Sequence, residues 1–343
     1  MKILVDINHP AHVHYFKNLI NELKDRGHTV VISTVEKDIA IKLLNLYSLD
    51  HINLGKLGKT VFNKAINVFL LDLKLYFSIK KFKPDIFLGF ASIRCAHVSK
   101  LINSISINID DTEHSPLEQM LYVPFTDYIL SSHCFKKDFG KKHFRFKGLV
   151  EYTYLNPKVF IPNPEYLNDI GLNIESNYTI IRFVSWKAFH DLGHSGIKSK
   201  INFIQELERY SKVFISSEDE LPIELKKYKI EISPEKIHHI LYYATLFVGE
   251  SGTMSTESAL LGTHSVMINS LLKNEYGSFL ETEKYGLSYN FKNEEEGLKK
   301  AIELIQMKNL KLEGKEKVKN IYRDFNDINN YILNFIENLP DLK

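Results

Sequence analysis

Several short clusters in this 343-residue chain combine residue types and spacings suited to chemistry. Gly249-Glu250-Ser251-Gly252-Thr253 lies between the apolar run 245–248 and an amphipathic stretch, 255–261. A small-residue turn that enters a helix leaves backbone N–H groups unpaired, and the aligned peptide dipoles add positive potential there. An anionic phosphate therefore fits beside Ser251, Gly252 and Thr253. Glu257 follows on the first turns of the helix, where a carboxylate can accept hydrogen bonds from a vicinal diol such as that of ribose. The same residues also suit an ordinary strand-to-helix turn with Ser251 or Thr253 as its N-cap.

Asn8-His9-Pro10-Ala11-His12-Val13-His14 places three histidines at the end of the first β-rich run. Imidazole titrates near neutral pH, so His12 suits general-base work on a hydroxyl, with His9 and His14 beside it as substrate contacts. Capping and packing of the helix start is the competing use. A metal site is a third, although no Cys or His cluster elsewhere supplies further ligands. In the stretch 182–191, Arg182 offers a guanidinium that can clamp a diphosphate through two parallel bonds, and His190 can protonate or bind a departing phosphate. Pairing of Arg182 with Asp191 or Glu218 is the structural alternative. Asp110-Asp111-Thr112-Glu113-His114 has the oxygen ligands of a hard-cation site, and equally those of a substrate contact or a solvated turn.

The elements that must hold these clusters alternate between strand and helix. Residues 2–7 form a β-rich run. An amphipathic stretch, 12–24, follows with Phe16, Leu19, Ile20 and Leu23 on one face, stops at Gly27, and leads into a strand over 29–34. Such a β-α-β unit within about 35 residues is the size of one parallel crossover. Helices over 61–81 and 94–102 and strands over 85–89, 104–109 and 128–131 continue the pattern. The stretch 148–164 holds one glycine and three prolines without a clear period and marks a connection, so a boundary is expected near 160. Beyond it, strands over 178–184, 213–216, 245–248 and 265–268 alternate with helices over 199–210, 237–243 and 255–261. The expected architecture is α/β, with two Rossmann-like, doubly wound parallel-sheet domains, 1–160 and 161–343, an inter-domain cleft, and a last helix packing back on the first domain. Ligands of open parallel sheets bind at strand carboxyl ends, which points to the loops after Ile7, Ile109, Val184 and Val248.

Composition narrows the partners. A length of 343 residues with 44% hydrophobic residues suits two domains with their own cores. A formal charge of +2, from 44 basic and 42 acidic residues, lacks the surplus of a general nucleic-acid binder. Cys95 and Cys134 show neither metal-type spacing nor a disulfide framework, which suits a reducing, cytoplasmic setting. The chain enters a strand at once without the regions of a secretory signal, so export by that route is not expected. The apolar stretch 68–77 is interrupted by Asp72 and Lys74 and is too short to span a bilayer, which takes about 20 apolar residues. The basic stretch 56–83, with Phe62, Val68, Phe69, Leu73, Phe77 and seven lysines, suits a helix covering the sheet or peripheral contact with an anionic inner membrane face.

The segment from Ser233 through Ile237-His238-His239, the Glu250-Ser251-Gly252 turn and Glu257-Ser258-Ala259-Leu260-Leu261-Gly262 resembles the donor-binding region of GT-B glycosyltransferases. It also resembles the corresponding region of non-hydrolysing UDP-N-acetylglucosamine 2-epimerases. That resemblance implies that Ser251 and Gly252 meet a pyrophosphate and that Glu257, six residues after Ser251, holds the ribose. His264 stands where those families usually have Pro. His12, with the following helix and Arg26-Gly27-His28-Thr29-Val30, is similar to the Gly-Gly-His start of the peptidoglycan N-acetylglucosaminyltransferase, implying that His12 contacts substrate or acts as base. GT-B enzymes generally lack a metal-binding Asp-x-Asp motif, so Asp111 and Glu113 are expected to contact substrate, with no metal and no cofactor. Glu118, in Pro116-Leu117-Glu118-Gln119, sits where the epimerases carry a catalytic carboxylate. Their further acid after the preceding strand is replaced here by Gly89-Phe90-Ala91-Ser92. Removing and returning a proton at a sugar carbon needs more than one acid/base group, so the substitution favours transfer over epimerisation.

Taken together, the histidine turn, Asp111-Thr112-Glu113-His114, Arg182-Phe183-Val184-Ser185 with His190-Asp191, and Ser251-Gly252-Thr253-Met254 with Glu257 look like the DUF354 family over nearly the full chain. The resemblance implies a GT-B-like fold. The expected function is metal-independent transfer of a sugar from a nucleotide diphosphate sugar to a cell-envelope or polysaccharide-type acceptor, lipid-linked or carbohydrate. In that expectation Arg182, Ser251, Gly252, Thr253 and Glu257 hold the donor, while His12, His190 and Glu118 do the chemistry. His9, His14, Asp111 and Glu113 contact substrate. A nucleotide-sugar 2-epimerase and a non-catalytic nucleotide-sugar-binding protein are the alternatives.

Overall fold

A computed structural model describes residues 1–36, 39–56, 61–113, 115–184, 196–217, 220–270 and 277–339, with the backbone alone over 61–67. The chain divides into two compact units, Met1–Tyr154 with Asn326–Lys343, and Leu155–Phe325.

In the first unit, β1 (Lys2–Ile7) leads through α1 (Pro10–Asp25) to β2 (Thr29–Glu36), then through α2 (Ala40–Leu46) to β3 (Ile52–Lys56). After α3 (Val61–Ile79) come β4 (Ile86–Phe90), α4 (Ile93–Ile102), β5 (Ile105–Ile109), α5 (Pro116–Tyr122), β6 (Tyr128–Ser132) and β7 (His143–Phe146), with the short α6 (Tyr152–Leu155) at the end of the unit. The seven strands form a parallel sheet in the order β3-β2-β1-β4-β5-β6-β7. Ile3, Leu4 and Val5 are consecutive and fully buried, as a strand covered on both faces requires. Pro10 opens α1, where its missing N–H costs nothing, and His9 caps it. Val13, Phe16, Leu19, Ile20 and Leu23 turn that helix's apolar stripe inward. The final helix of the chain, Ile328–Glu337, belongs to this unit and packs on α1. In the stretch 56–83, Phe69, Leu70 and Phe77 on α3 are exposed, and so are Lys74, Lys80, Lys81 and Lys83. Among the described residues no helix is long and apolar enough to cross a membrane.

The second unit runs β8 (Tyr178–Phe183), α7 (Lys200–Glu208), β9 (Lys212–Ser217), α8 (Ile237–Tyr243), β10 (Leu246–Gly249), α9 (Gly252–Leu260) and β11 (Ser265–Ile268). It continues with α10 (Gly277–Lys284), β12 (Ser288–Phe291), α11 (Glu294–Ile305) and α12 (Leu310–Asp324), the chain's last helix, already described, being α13. Its sheet is also parallel, in the order β12-β11-β10-β8-β9. Ile181, Phe183, Phe203, Leu207, Ile215, Val248, Val266 and Leu304 meet in its core.

Both sheets reverse direction at a definite place. β1 has β2 on one side and β4 on the other; β8 has β9 on one side and β10 on the other. Successive crossovers leave these strand pairs in opposite directions, so the loops after β1 and β4, and those after β8 and β10, splay apart. A crevice at the carboxyl ends of such strands is where open α/β sheets take ligands.

Lys315 on α12 fastens the ends of two helices that matter below. Its ammonium donates to the Tyr242 carbonyl at 2.7 Å and the Leu261 carbonyl at 2.6 Å, closing α8 and α9, and burial lowers its pKa to about 7. Nearby, His264 is 1% exposed and neither ring nitrogen has a hydrogen-bond partner among the described residues. Burial, aided by the Lys317 charge, holds its pKa down at about 4 against an ordinary 6.5. Between those two values the unfolded chain takes up a proton that the folded chain refuses. The stability is therefore complete above pH 6.5 and falls towards pH 4, by about 3 kcal/mol in all. Urea denaturation at pH 7 and pH 4.5 should show this loss shrinking in His264→Leu; an equal loss in both proteins would show that His264 does not sense the pH.

Candidate functional site

Two sets of polar residues stand at the strand ends where the sheets reverse, one in each unit. In the second unit, Gly249 closes β10 without a side chain because a Cβ there would lie 2.7 Å from the Arg182 carbonyl of β8. Glu250, 2% exposed, is a tie between loops: Oε2 accepts the Val184 N–H at 2.8 Å and Oε1 the Ile197 N–H at 2.7 Å. Ser251 has extended backbone angles and its Oγ accepts the Met254 N–H at 3.4 Å, so it is the N-cap of α9. The helix accordingly starts at Gly252, three residues earlier than its apolar period indicates, and its first turn presents the backbone of Gly252 and Thr253. A Cβ on Gly252 would collide with the Phe279 ring of α10. Thr253 is exposed and Ser251 half-buried.

Glu257 is 6% exposed and its Oε1 lies 2.9 Å from Nε2 of His238 on α8, itself 4% exposed. Arg182, half-buried near the end of β8, donates from Nη1 to Ser216 Oγ at 2.7 Å, its register partner on β9. His190 and Asp191, like His114 and Glu218, lie outside the described residues.

In the first unit the three histidines take separate positions. His9 Nδ1 accepts the Ala11 N–H at 3.2 Å. His12 Nδ1 accepts the Asn8 N–H at 3.3 Å, and its ring packs on Phe90 at a centroid distance of 4.8 Å. His14 is buried, with its ring 5.3 Å from that of Tyr154 and 5.9 Å from that of Tyr47. Beneath this turn lies a buried ionic network. Asp6 accepts from Ser33 Oγ at 2.7 Å, Ser92 Oγ at 2.6 Å and Arg94 Nη2 at 2.9 Å, and the same Arg94 nitrogen donates to Asn8 Oδ1. Phe90, 5% exposed, is the last residue of β4, within the Gly89-Phe90-Ala91-Ser92 stretch that lacks the epimerases' acid, and supplies an apolar shelf for His12.

The end of β5 carries two adjacent carboxyl groups. Asp110, 1% exposed, accepts from Thr112 N–H at 2.8 Å, Gln119 Nε2 at 3.0 Å and the Tyr122 hydroxyl. Burial raises its pKa, and burial together with the Asp110 charge raises that of Tyr122. Asp111, half-buried, accepts from Thr112 Oγ1 at 2.8 Å; burial first and the Asp110 charge second push its carboxyl up to about 7. Glu113 accepts the Lys136 N–H at 3.1 Å, and Glu118 is exposed on the first turn of α5.

Of the expected set, Arg182, Ser251, Gly252, Thr253 and Glu257 lie in the second unit and His9, His12, Asp111 and Glu113 in the first. Glu118 projects to the surface and His14 into packing. No local sequence signal marks His238, Arg94 or Tyr122 as partners of Glu257, Asp6 and Asp110. Their separations of 19, 88 and 12 residues follow no local period. Among the described residues no three His, Cys, Asp or Glu side chains are grouped to hold a metal ion.

Solved structures similar to this chain include the UDP-GlcNAc 2-epimerase of Neisseria meningitidis bound to UDP-GlcNAc, 13% identical, with a TM-score of 0.64 over 94% of this chain and 99% of that one. The glycosyltransferase VinC in complex with dTDP is 11% identical, with a TM-score of 0.64 over 98% and 99%. These likenesses show a GT-B-like fold of two parallel-sheet α/β domains. In sequence, an uncharacterised protein of Methanocaldococcus jannaschii is 26% identical over 279 residues, 78% of this chain and 81% of its own length. Residues 1–338 match the protein family of unknown function DUF354, and the chain belongs to that family.

Proposed function

We propose that the protein is a glycosyltransferase that takes a nucleotide diphosphate sugar on its second unit and passes the sugar to a hydroxyl of a carbohydrate or lipid-linked acceptor. The observation that carries this reading is the start of α9: a capped helix N-terminus at the sheet reversal, with a buried carboxylate six residues beyond the cap. The N–H groups of Gly252 and Thr253 and the helix dipole suit the diphosphate, Arg182 adds positive charge from the adjacent strand, and Glu257 accepts from the ribose. Preorganised donors of this kind stabilise a departing diphosphate without a metal. The two structural neighbours, crystallised with UDP-GlcNAc and with dTDP, support a nucleotide-sugar partner.

In the first unit, His12 accepts a backbone N–H at Nδ1, so a neutral ring carries its proton on Nε2 and offers a donor to a hydroxyl or phosphate oxygen. Asp111, with a carboxyl that titrates near 7, is the group we assign as base towards the acceptor hydroxyl. Titration calorimetry with UDP, GDP, CDP and TDP tests the donor site. At least one should bind, and Glu257→Ala should weaken it by about tenfold or more. No binding at all, or binding indifferent to Glu257→Ala, sinks the reading.

Epimerisation is the second reading, favoured by the adjacent carboxyl groups of Asp110 and Asp111, since a carbon-bound proton must be removed and returned. Uptake of solvent deuterium at C2 of a UDP sugar without any acceptor distinguishes it from transfer.

A further inference from the structure

Resting on that donor-site reading, we infer that His238 is a positioning residue for the nucleotide's ribose: it holds the Glu257 carboxylate in the orientation that accepts the sugar's hydroxyls. A carboxylate can only accept, so the 2.9 Å contact between His238 Nε2 and Glu257 Oε1 makes the ring nitrogen the donor. The last torsion of a glutamate is broad, and a carboxylate left to itself samples many planes. A fixed N–H on one oxygen selects one plane, which is what recognition of two neighbouring hydroxyls demands.

The ring is itself held. Phe160 meets it edge-on at 6.4 Å, and the adjoining His239 accepts the Asn163 N–H at 3.0 Å between the rings of Phe160 and Tyr166, each 4.8 Å away. Residues 160–166 thereby clasp the first turn of α8, while Lys315 joins the far ends of α8 and α9. With α8 clasped at its first turn and its far end joined to that of α9, the backbone that carries His238 is held beside Glu257. Replacing both partners by apolar groups of the same shape can be nearly neutral for stability, whereas removing one strips a buried hydrogen bond from the other.

The test compares UDP and GDP with their 2′-deoxy counterparts by titration calorimetry, in the unaltered protein and in Glu257→Ala, His238→Ala and His238→Gln. The unaltered protein should prefer the ribonucleotide by about tenfold, the size of one hydrogen bond to a charged group. Glu257→Ala should abolish the preference, His238→Ala should reduce it to within about twofold, and His238→Gln, whose amide can donate in place of the ring, should restore part of it. Affinity for the 2′-deoxynucleotide should stay unchanged, which separates a positioning role from general damage to the fold. Should His238→Ala lower both affinities together, His238→Phe, which fills the space without a donor, decides: an intact 2′-deoxy affinity with the full ribose preference of the unaltered protein overturns the inference, and one with the preference reduced supports it. A preference lost in Glu257→Ala but kept in His238→Ala overturns the inference and leaves the donor site standing. A preference kept in both, or no binding of any of UDP, GDP, CDP and TDP, removes the donor-site reading along with it.

Discussion

Asp6→Ala should destabilise the first unit by about 3–5 kcal/mol, the cost of removing one partner from a buried ion pair. Asp6 is wholly buried at the end of β1 and takes three donors, Ser33 Oγ, Ser92 Oγ and Arg94 Nη2. Arg94 is 6% exposed, so without Asp6 its charge remains in the interior with the neutral Asn8 oxygen as its acceptor among the described residues. Two hydroxyls lose their acceptor in the same step. Asp6→Asn keeps the volume and one accepting oxygen but not the charge, and should fall between the parent and Asp6→Ala. Urea denaturation of the two single variants, of Arg94→Gln and of Asp6→Asn/Arg94→Gln measures the coupling. The double variant should lose less than the sum of its parts, because each single change leaves a group stranded that the other removes. Simple additivity would show that the two side chains do not depend on each other. The turn above is expected to feel the change: Arg94 also holds Asn8, whose N–H fixes the His12 ring.

The strand-helix alternation was legible wherever an element carried a strong apolar period. β1, α8 and β11 have the bounds that their residues indicate: the strands are short runs of buried side chains, and α8 buries His238, Ile240 and Leu241 on one side. The edge strands β3, β7 and β12 were not foreseen. Only one residue of each is buried, so their sequences show neither alternation nor a continuous apolar run. The apolar period alone puts the start of α9 late, because Gly252 and Thr253 carry no apolar signal; Ser251, one of the two caps its residues suggest, marks where the helix begins.

The candidate site divides along the same line. Ser251 and Glu257 stand out because their spacing is local. Partnerships across the fold do not, since sheet register and helix packing create them. Glu250 is the instructive case: as part of the turn motif it looks like a ligand contact, yet the fold turns its carboxylate onto the backbone of Val184 and Ile197. Phe90 shows the reverse, a residue whose type seemed to mark a loss and whose ring supports His12.

Asp111→Asn should lower kcat by about 10²–10⁴, the usual contribution of a positioned general base. The substitution keeps the size of the side chain and an oxygen to accept from Thr112 Oγ1, so donor affinity should hold while turnover falls. A base acts in its deprotonated form, and Asp111 holds its proton up to about pH 7. Turnover should therefore rise about tenfold per pH unit well below 7 and level off above it. Asp110→Asn supplies the sharper check. It removes the neighbouring charge that helps keep the Asp111 proton in place, while its amide oxygen can still accept from Tyr122 and Gln119. The midpoint of the pH profile should then move down towards the ordinary carboxylate range, although burial alone still holds it above that range. An unmoved midpoint with turnover intact in Asp111→Asn would return the base to His12, which would then have to give up the Asn8 N–H and carry its proton on Nδ1. The same profile serves both readings of the reaction, because the proton of an acceptor hydroxyl and the proton at a sugar carbon each need a carboxylate that is free to take it near neutral pH.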